Sequence, residues 1–328
     1  MKNIQADIKS GNFKQVYLLY GEEAYLKQQY KQNLVKALNP DGDTMNFNHY
    51  EGKGIDVKQL IDLCETMPFF AERRVVLLED TGFFKNKCEE LADYMKELPD
   101  YLYLVFAETE VDKRNRMYKA VKACGSIAEF IRQDEKTLMR WAAGILGKAG
   151  KKITQRDMEL LLTKTGTDMG NLRMEMEKLI SYTEGRDVVT AEDIEEICTT
   201  QTTNRIFDMV RAVTEKNQKR ALELYYDLLT LKEPPMRILF LLAKQYRQLL
   251  LAKQFAVAGL AQTEIASKLG VPGFVVRNIT TCARAYTISE LEQAVKDFVD
   301  AEESVKTGRL EDKLSVELLI IKYSSKVK

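Results

Sequence analysis

The chain has 328 residues, 45% hydrophobic and 30% charged, with 6 Pro, 17 Gly and a net charge of zero. That length allows two or three domains. The composition is that of a folded, helix-leaning protein, which excludes disordered and fibrous classes. No apolar run approaches the ~20 residues that span a bilayer. The opening MKNIQADIKSGNF has no apolar signal core, so a cytoplasmic location without a membrane partner is expected.

Charge is spread unevenly. Residues 1–135 carry 19 basic and 23 acidic side chains, whereas residues 206–328 carry 19 and 15. This mild polarity argues against a chain that grips DNA strongly alone and allows a weakly basic last third. Five cysteines (Cys64, Cys88, Cys124, Cys198, Cys282) form no C-x-x-C pair and read as small buried hydrophobes. The one histidine, His49, excludes His-rich zinc centres and most Ser/His or Cys/His nucleophile systems. Within the strand-like MNFNHYEG it reads as structural.

In chain order, residues 1–135 alternate strand and helix. VYLLYG (16–21) is an apolar strand ending in Gly, followed by a helix with Leu26, Tyr30, Leu34 and Leu38 near every fourth position. MNFNHYEG is a second strand. Asp56 caps a helix whose apolar face is Val57, Leu60, Ile61 and Cys64. RVVLLED (74–80) is apolar on both faces, as in a covered parallel sheet. A helix with Cys88, Leu91, Met95 and Leu98 leads to the strand YLYLVFAE, and a helix around Met117, Val121 and Cys124 leads to SIAEF. Five strands separated by helices predict a parallel α/β domain.

After Glu135 the pattern predicts helices only. Residues 137–149, 157–164, 170–183 and 191–200 read as four helices of a lid-sized unit, with Thr154/Asp157 and Thr190/Asp193 as N-cap pairs and Gly166 and Gly185 as stops. From Arg205 the helices run at 205–216, 218–231, 235–255, 263–269, 273–285, 289–305 and 311–324. Pro234-Pro235 marks one start and Ser289/Glu292 reads as a capping box.

A strand ending in Gly before a helix invites comparison with the phosphate-binding loop G-x-x-x-x-G-K-[ST]. Here Gly21 and Lys27 are in register, but Leu26 replaces the second Gly and Gln28 replaces the Mg²⁺-binding hydroxyl. Glu22 and Glu23 stand where main-chain amides should meet phosphate, and carboxylates there repel it. The frame reads as a degenerate nucleotide site that needs no cofactor; the plain alternative is a strand-to-helix turn at Gly21. VVLLED, ending in Glu79 and Asp80, reads as a strand exit.

Met67-Pro68-Phe69-Phe70-Ala71-Glu72-Arg73-Arg74 lies between a helix and a strand. Adjacent side chains diverge, so two neighbouring Phe cannot both face one core. An outward Phe pair flanked by Arg fits a protein-binding plug, with domain packing as the alternative. Lys306-Thr307-Gly308-Arg309 can end a helix and leave two cations on a loop, a candidate phosphate contact. The other basic groups (Lys113/Arg114/Arg116, Lys151/Lys152 and Lys216/Lys219/Arg220) read as solvated helix faces. The sole Trp, Trp141, reads as core.

These segments together resemble the delta-subunit family of bacterial DNA polymerase III, the wrench of the sliding-clamp loader. The resemblance rests on YLLYGEEAYL, MPFFAERRVVLL, GNLRMEMEKL, RIFDMVRAV, ALELYYDLL, LLAKQYRQLLLAK and DAEESVKTGRLEDKLSVELLI, in that order, nearly end to end. It implies an α/β AAA+-like parallel-sheet domain (1–135) that binds the clamp, a small helical lid domain (136–205) and an all-α collar domain (206–328) for oligomerisation. It further implies a non-catalytic subunit that binds no ATP and no metal. Its partners would be the sliding clamp, the loader's ATPase subunits with delta-prime in a hetero-pentamer, and primed DNA in the assembled complex. The family's clamp plug, Met-x-apolar-Phe, falls on Met67, Phe69 and Phe70, with Phe69 where Leu is common. The chain lacks the Ser-Arg-Cys arginine-finger motif of the ATPase and delta-prime subunits. The rival readings are an active AAA+ ATPase or DNA translocase, which Leu26 and Gln28 oppose, and a generic interaction scaffold with the Phe pair buried.

Overall fold

A computed structural model describes residues 2–199 and 202–325. The chain forms two compact units, Met1–Gln133 and Asp134–Lys328. The first runs α1 (Lys2–Ser10), β1 (Val16–Tyr20), α2 (Ala24–Leu38), β2 (Phe47–Glu51), α3 (Val57–Glu65), β3 (Arg74–Glu79), α4 (Glu89–Tyr94), β4 (Leu102–Glu108), α5 (Arg116–Cys124) and β5 (Ser126–Glu129). The five strands make one parallel sheet in the order β2-β3-β4-β1-β5.

Alternation along the strands supplies two cores. Val16, Leu18, Val76, Leu78, Leu104 and Phe106 pack with Leu60, Leu91, Met117 and Val121 of α3, α4 and α5. Tyr17, Leu19, Val75, Leu77 and Val105 pack on the other face with Ile4 of α1 and Leu34 and Leu38 of α2. Each such side chain, once buried, contributes ~1.5–3 kcal/mol before entropy is counted. That two-sided burial is why the strands read as continuous apolar runs. Asp56 caps α3 as expected, accepting from the Lys58 and Gln59 amides.

The second unit continues with α6 (Glu135–Lys148), β6 (Lys152–Ile153), α7 (Gln155–Thr165), α8 (Met169–Tyr182), β7 (Val188–Val189) and α9 (Ala191–Ile197). Seven further helices follow: α10 (Thr202–Thr214), α11 (Gln218–Thr230), α12 (Pro235–Val257), α13 (Gln262–Leu269), α14 (Gly273–Ala283), α15 (Ile288–Lys306) and α16 (Asp312–Ser324). Two apolar clusters lie within it, one built on α6 to α9 and one on α10 to α16.

Four expectations need correction, and α1 (Lys2–Ser10) adds a helix to the elements expected. Strands do not stop at Glu135, because β6 and β7 pair in parallel. α4 ends at Tyr94, so Leu98 lies beyond it. The capping box of α15 is Thr287 with Glu290, two residues earlier than Ser289/Glu292. Four cysteines are buried but Cys124 is exposed. Burial pushes the Cys64 and Cys198 thiols up to about 12, which makes them poor nucleophiles. No helix among the described residues is long and apolar enough to cross a membrane.

Candidate functional site

All strands of the sheet run one way, so its two ends differ. Residues 66–73 link α3 to β3 at the N-terminal end. Gly21, Glu79 and Glu108 lie where β1, β3 and β4 finish, at the C-terminal end.

At the N-terminal end Met67 is 74% exposed, Phe69 56% and Phe70 95%. The two rings meet edge to face with centroids 4.5 Å apart. Their main chain is fixed from beneath. The side-chain amide of Asn46, just before β2, grips Phe69 at two points: Oδ1 accepts from the Phe69 N–H at 2.7 Å and Nδ2 donates to the Phe69 carbonyl at 2.8 Å. The Arg74 guanidinium donates to the Thr66 carbonyl (2.8 Å), the Met67 carbonyl (3.3 Å) and Asn48 Oδ1 (3.1 Å). Phe70 sits at φ 51°, a conformation that costs a bulky residue about 1–3 kcal/mol and persists only where its surroundings impose it. Asp43 accepts from Asn46 Nδ2 at 2.5 Å, and that donor, with the Met45 N–H, holds its carboxyl below the usual carboxylate range. Arg73 and Arg74, which flank the Phe pair in sequence, both turn back into the domain. Arg73 lies over the rings of Phe13 and Tyr103, at 5.1 and 5.4 Å.

At the C-terminal end the turn at Gly21 is closed. Gly21 has φ 124°, and a Cβ there would lie 2.3 Å from the Phe130 carbonyl oxygen. The same oxygen accepts the Glu23 N–H at 3.0 Å, and the Phe130 N–H donates to Tyr20 O at 2.7 Å. An amide that a phosphate loop would turn toward its ligand is thus engaged inside the protein. Glu23 itself is buried, and Glu22 reaches Arg132 at 3.5 Å. Lys27 donates to the Glu108 carbonyl at 2.9 Å. Burial lowers its pKa against the pull of Asp80, Glu108 and Glu79. Glu79 joins Lys31 (2.6 Å) and His49 (2.9 Å), which gives the lone histidine a structural partner. The buried Glu108 carboxylate accepts from Thr81 N and Oγ1; desolvation still raises its pKa over the opposing effect of those bonds. Among the described residues no group of His, Cys, Asp and Glu could hold a metal ion.

The remaining site candidates lie in the second unit. Gly308 (φ 72°) follows α15 as a loop residue, but the cations beside it are paired. Lys306 meets Glu302 at 2.5 Å and Arg309 meets Glu303 at 3.0 Å. The i,i+4 spacing of Glu302 and Lys306 carries that pairing in the sequence. The grip of Asn46 on Phe69 and of Phe130 on Glu23 had no such signal, because those contacts join segments far apart in the chain.

A family model described as DNA polymerase III, delta subunit, matches residues 17–130, and one described as DNA polymerase III delta subunit, C-terminal domain, matches residues 203–323. The chain belongs to the DNA polymerase III delta-subunit family. Within that family, DNA polymerase III subunit delta of Bacillus subtilis is 26% identical over 332 residues, covering 97% of this chain and 95% of its own. The probable DNA polymerase III subunit delta of Aquifex aeolicus is 22% identical over 270 residues, covering 78% and 75%. The solved Bacillus subtilis DNA clamp loader delta protein shares the fold, with a TM-score of 0.68 at 24% identity over 99% of each chain. The delta-family match at 17–130 spans both ends of the sheet, the outward Phe pair and the closed Gly21 turn alike.

Proposed function

We propose that this chain is a non-catalytic clamp-loader subunit. It binds a ring-shaped sliding clamp through Met67, Phe69 and Phe70 and holds one ring interface open for loading onto primed DNA. The observation that carries the reading is the trio of solvent-exposed apolar side chains on a loop whose main chain is pinned by Asn46 and Arg74. Apolar groups held outward on a fixed backbone fit a partner's pocket better than they fit a core that merely packs poorly. Burying each Phe in that pocket contributes ~1.5–3 kcal/mol before association costs. A loop that fits the sprung ring interface better than the closed one shifts the ring toward opening by that difference in affinity.

On this reading residues 1–135 are the clamp-binding domain, 136–205 the lid and 206–328 the collar that joins the ATPase subunits and delta-prime in a hetero-pentamer. ATP is handled by those partners. On the same reading this chain needs no cofactor and has no activity of its own, which agrees with a Glu23 amide and a Lys27 that already serve Phe130 and Glu108. In a titration calorimeter, without nucleotide, Phe69→Ala with Phe70→Ala should weaken affinity for a bacterial sliding clamp on the order of a hundredfold, with unfolding unchanged. Equal affinity removes these residues from the role.

The same reading assigns Lys306 and Arg309 to phosphates of primed DNA in the assembled loader. Their present pairs are exposed and contribute only ~0–1 kcal/mol each, so a phosphate displaces the carboxylates at little cost. Lys306→Glu with Arg309→Glu should reduce the slope of log affinity against log salt by about 2. An unmoved slope leaves the loop a structural turn.

A further inference from the structure

Asn46 is 3% exposed, yet its hydrogen bonds go to the main chain of a residue that stands in solvent. The geometry admits one orientation of its amide. Oδ1 faces the Phe69 N–H, and Nδ2 faces both the Phe69 carbonyl and Asp43 Oδ2. Turned over, the amide would set N–H against N–H and oxygen against two oxygens. Asp43 is fixed in turn, because Asn39, the C-cap of α2, donates Nδ2 to the Asp43 carbonyl at 2.9 Å and accepts the Asp43 N–H at 3.0 Å. A chain of side-chain contacts therefore leads from the end of α2 through Asp43 and Asn46 to Phe69. It ends beside Phe70, whose positive φ needs enforcement from somewhere.

We propose that Asn46 is the positioning residue of the plug, with Asp43 setting its orientation. It touches no partner atom; it holds the Phe69 main chain so that both rings are presented in the bound conformation before the partner arrives. This inference rests on the clamp-binding reading above and assigns the part of the domain that makes the plug competent. Without Asn46 the loop must be ordered during binding, and each freed side chain then lowers affinity.

The test uses the full chain, a bacterial sliding clamp and no nucleotide. Asn46→Ala should weaken binding roughly tenfold through the ordering that binding must then supply. The Phe69 amide should exchange its hydrogen faster, and the Asp43 carboxyl should titrate higher once its Asn46 donor is gone. In a Phe69→Ala, Phe70→Ala background the same change should have no further effect, because no ring remains to be placed. Asp43→Ala, at a partly exposed position, should give a smaller loss in the same direction even if Asn46→Ala proves too unstable to assay. Undiminished affinity with faster Phe69 exchange overturns the proposal, and so does an Asn46 effect that persists without the rings. If the double Phe variant binds as well as the parent, the clamp-binding reading itself fails, whatever Phe69 exchange shows.

Discussion

At the C-terminal end of the sheet Lys27, Lys31, Glu79 and Glu108 are engaged with one another and with main-chain groups, and the turn at Gly21 is filled by Phe130. At the N-terminal end the polar groups are equally engaged, yet they lie behind three apolar side chains that face water. Buried hydrogen bonds shut one surface and raise the other. On the proposed reading, satisfied polar groups alone do not mark a site as inert. What matters is whether the contacts they make leave a shape complementary to something else.

Two experiments at the closed end press on this contrast, the larger effect first. Gly21→Ala places a methyl against the Phe130 oxygen at a backbone angle that disfavours any side chain. It should destabilise the domain by about 3 kcal/mol or more, read as a lower midpoint of thermal unfolding. A wild-type midpoint would mean that the turn relaxes easily and is less tightly sealed than described. Restoring the motif with Leu26→Gly and Gln28→Thr should produce no nucleotide binding at all in a fluorescent-ATP titration. The Glu23 N–H and Lys27 remain committed whatever stands at 26 and 28. Saturable binding by that variant would show that two side chains, and not the main-chain seal, keep the frame empty.

The fold was legible where burial is two-sided and periodic. The runs at Val75–Leu78 and Leu104–Ala107 disclosed covered strands, because helices lie on both faces of the sheet. Helix α1 was missed because Ile4 and Ile8 are its only apolar residues besides Ala6. β6 and β7 were missed because two residues give no alternation to count. The α15 cap slipped from Thr287/Glu290 to Ser289/Glu292 because both pairs satisfy the same spacing rule; only the observed Thr287 side-chain bond distinguishes them. At the candidate site the Phe pair was visible because no single core can take both rings. The Asn46 grip was not, since its partner lies 23 residues away and asparagine before a strand ordinarily signals a turn. The inward course of Arg73 was hidden for the same reason, as its aromatic partners belong to other segments.

The Phe130 carbonyl that receives the Glu23 amide acts as a guest that arrives with folding and never departs. A turn stoppered in this way by its own backbone has its occupant built in, so no outside ligand is needed to give it shape.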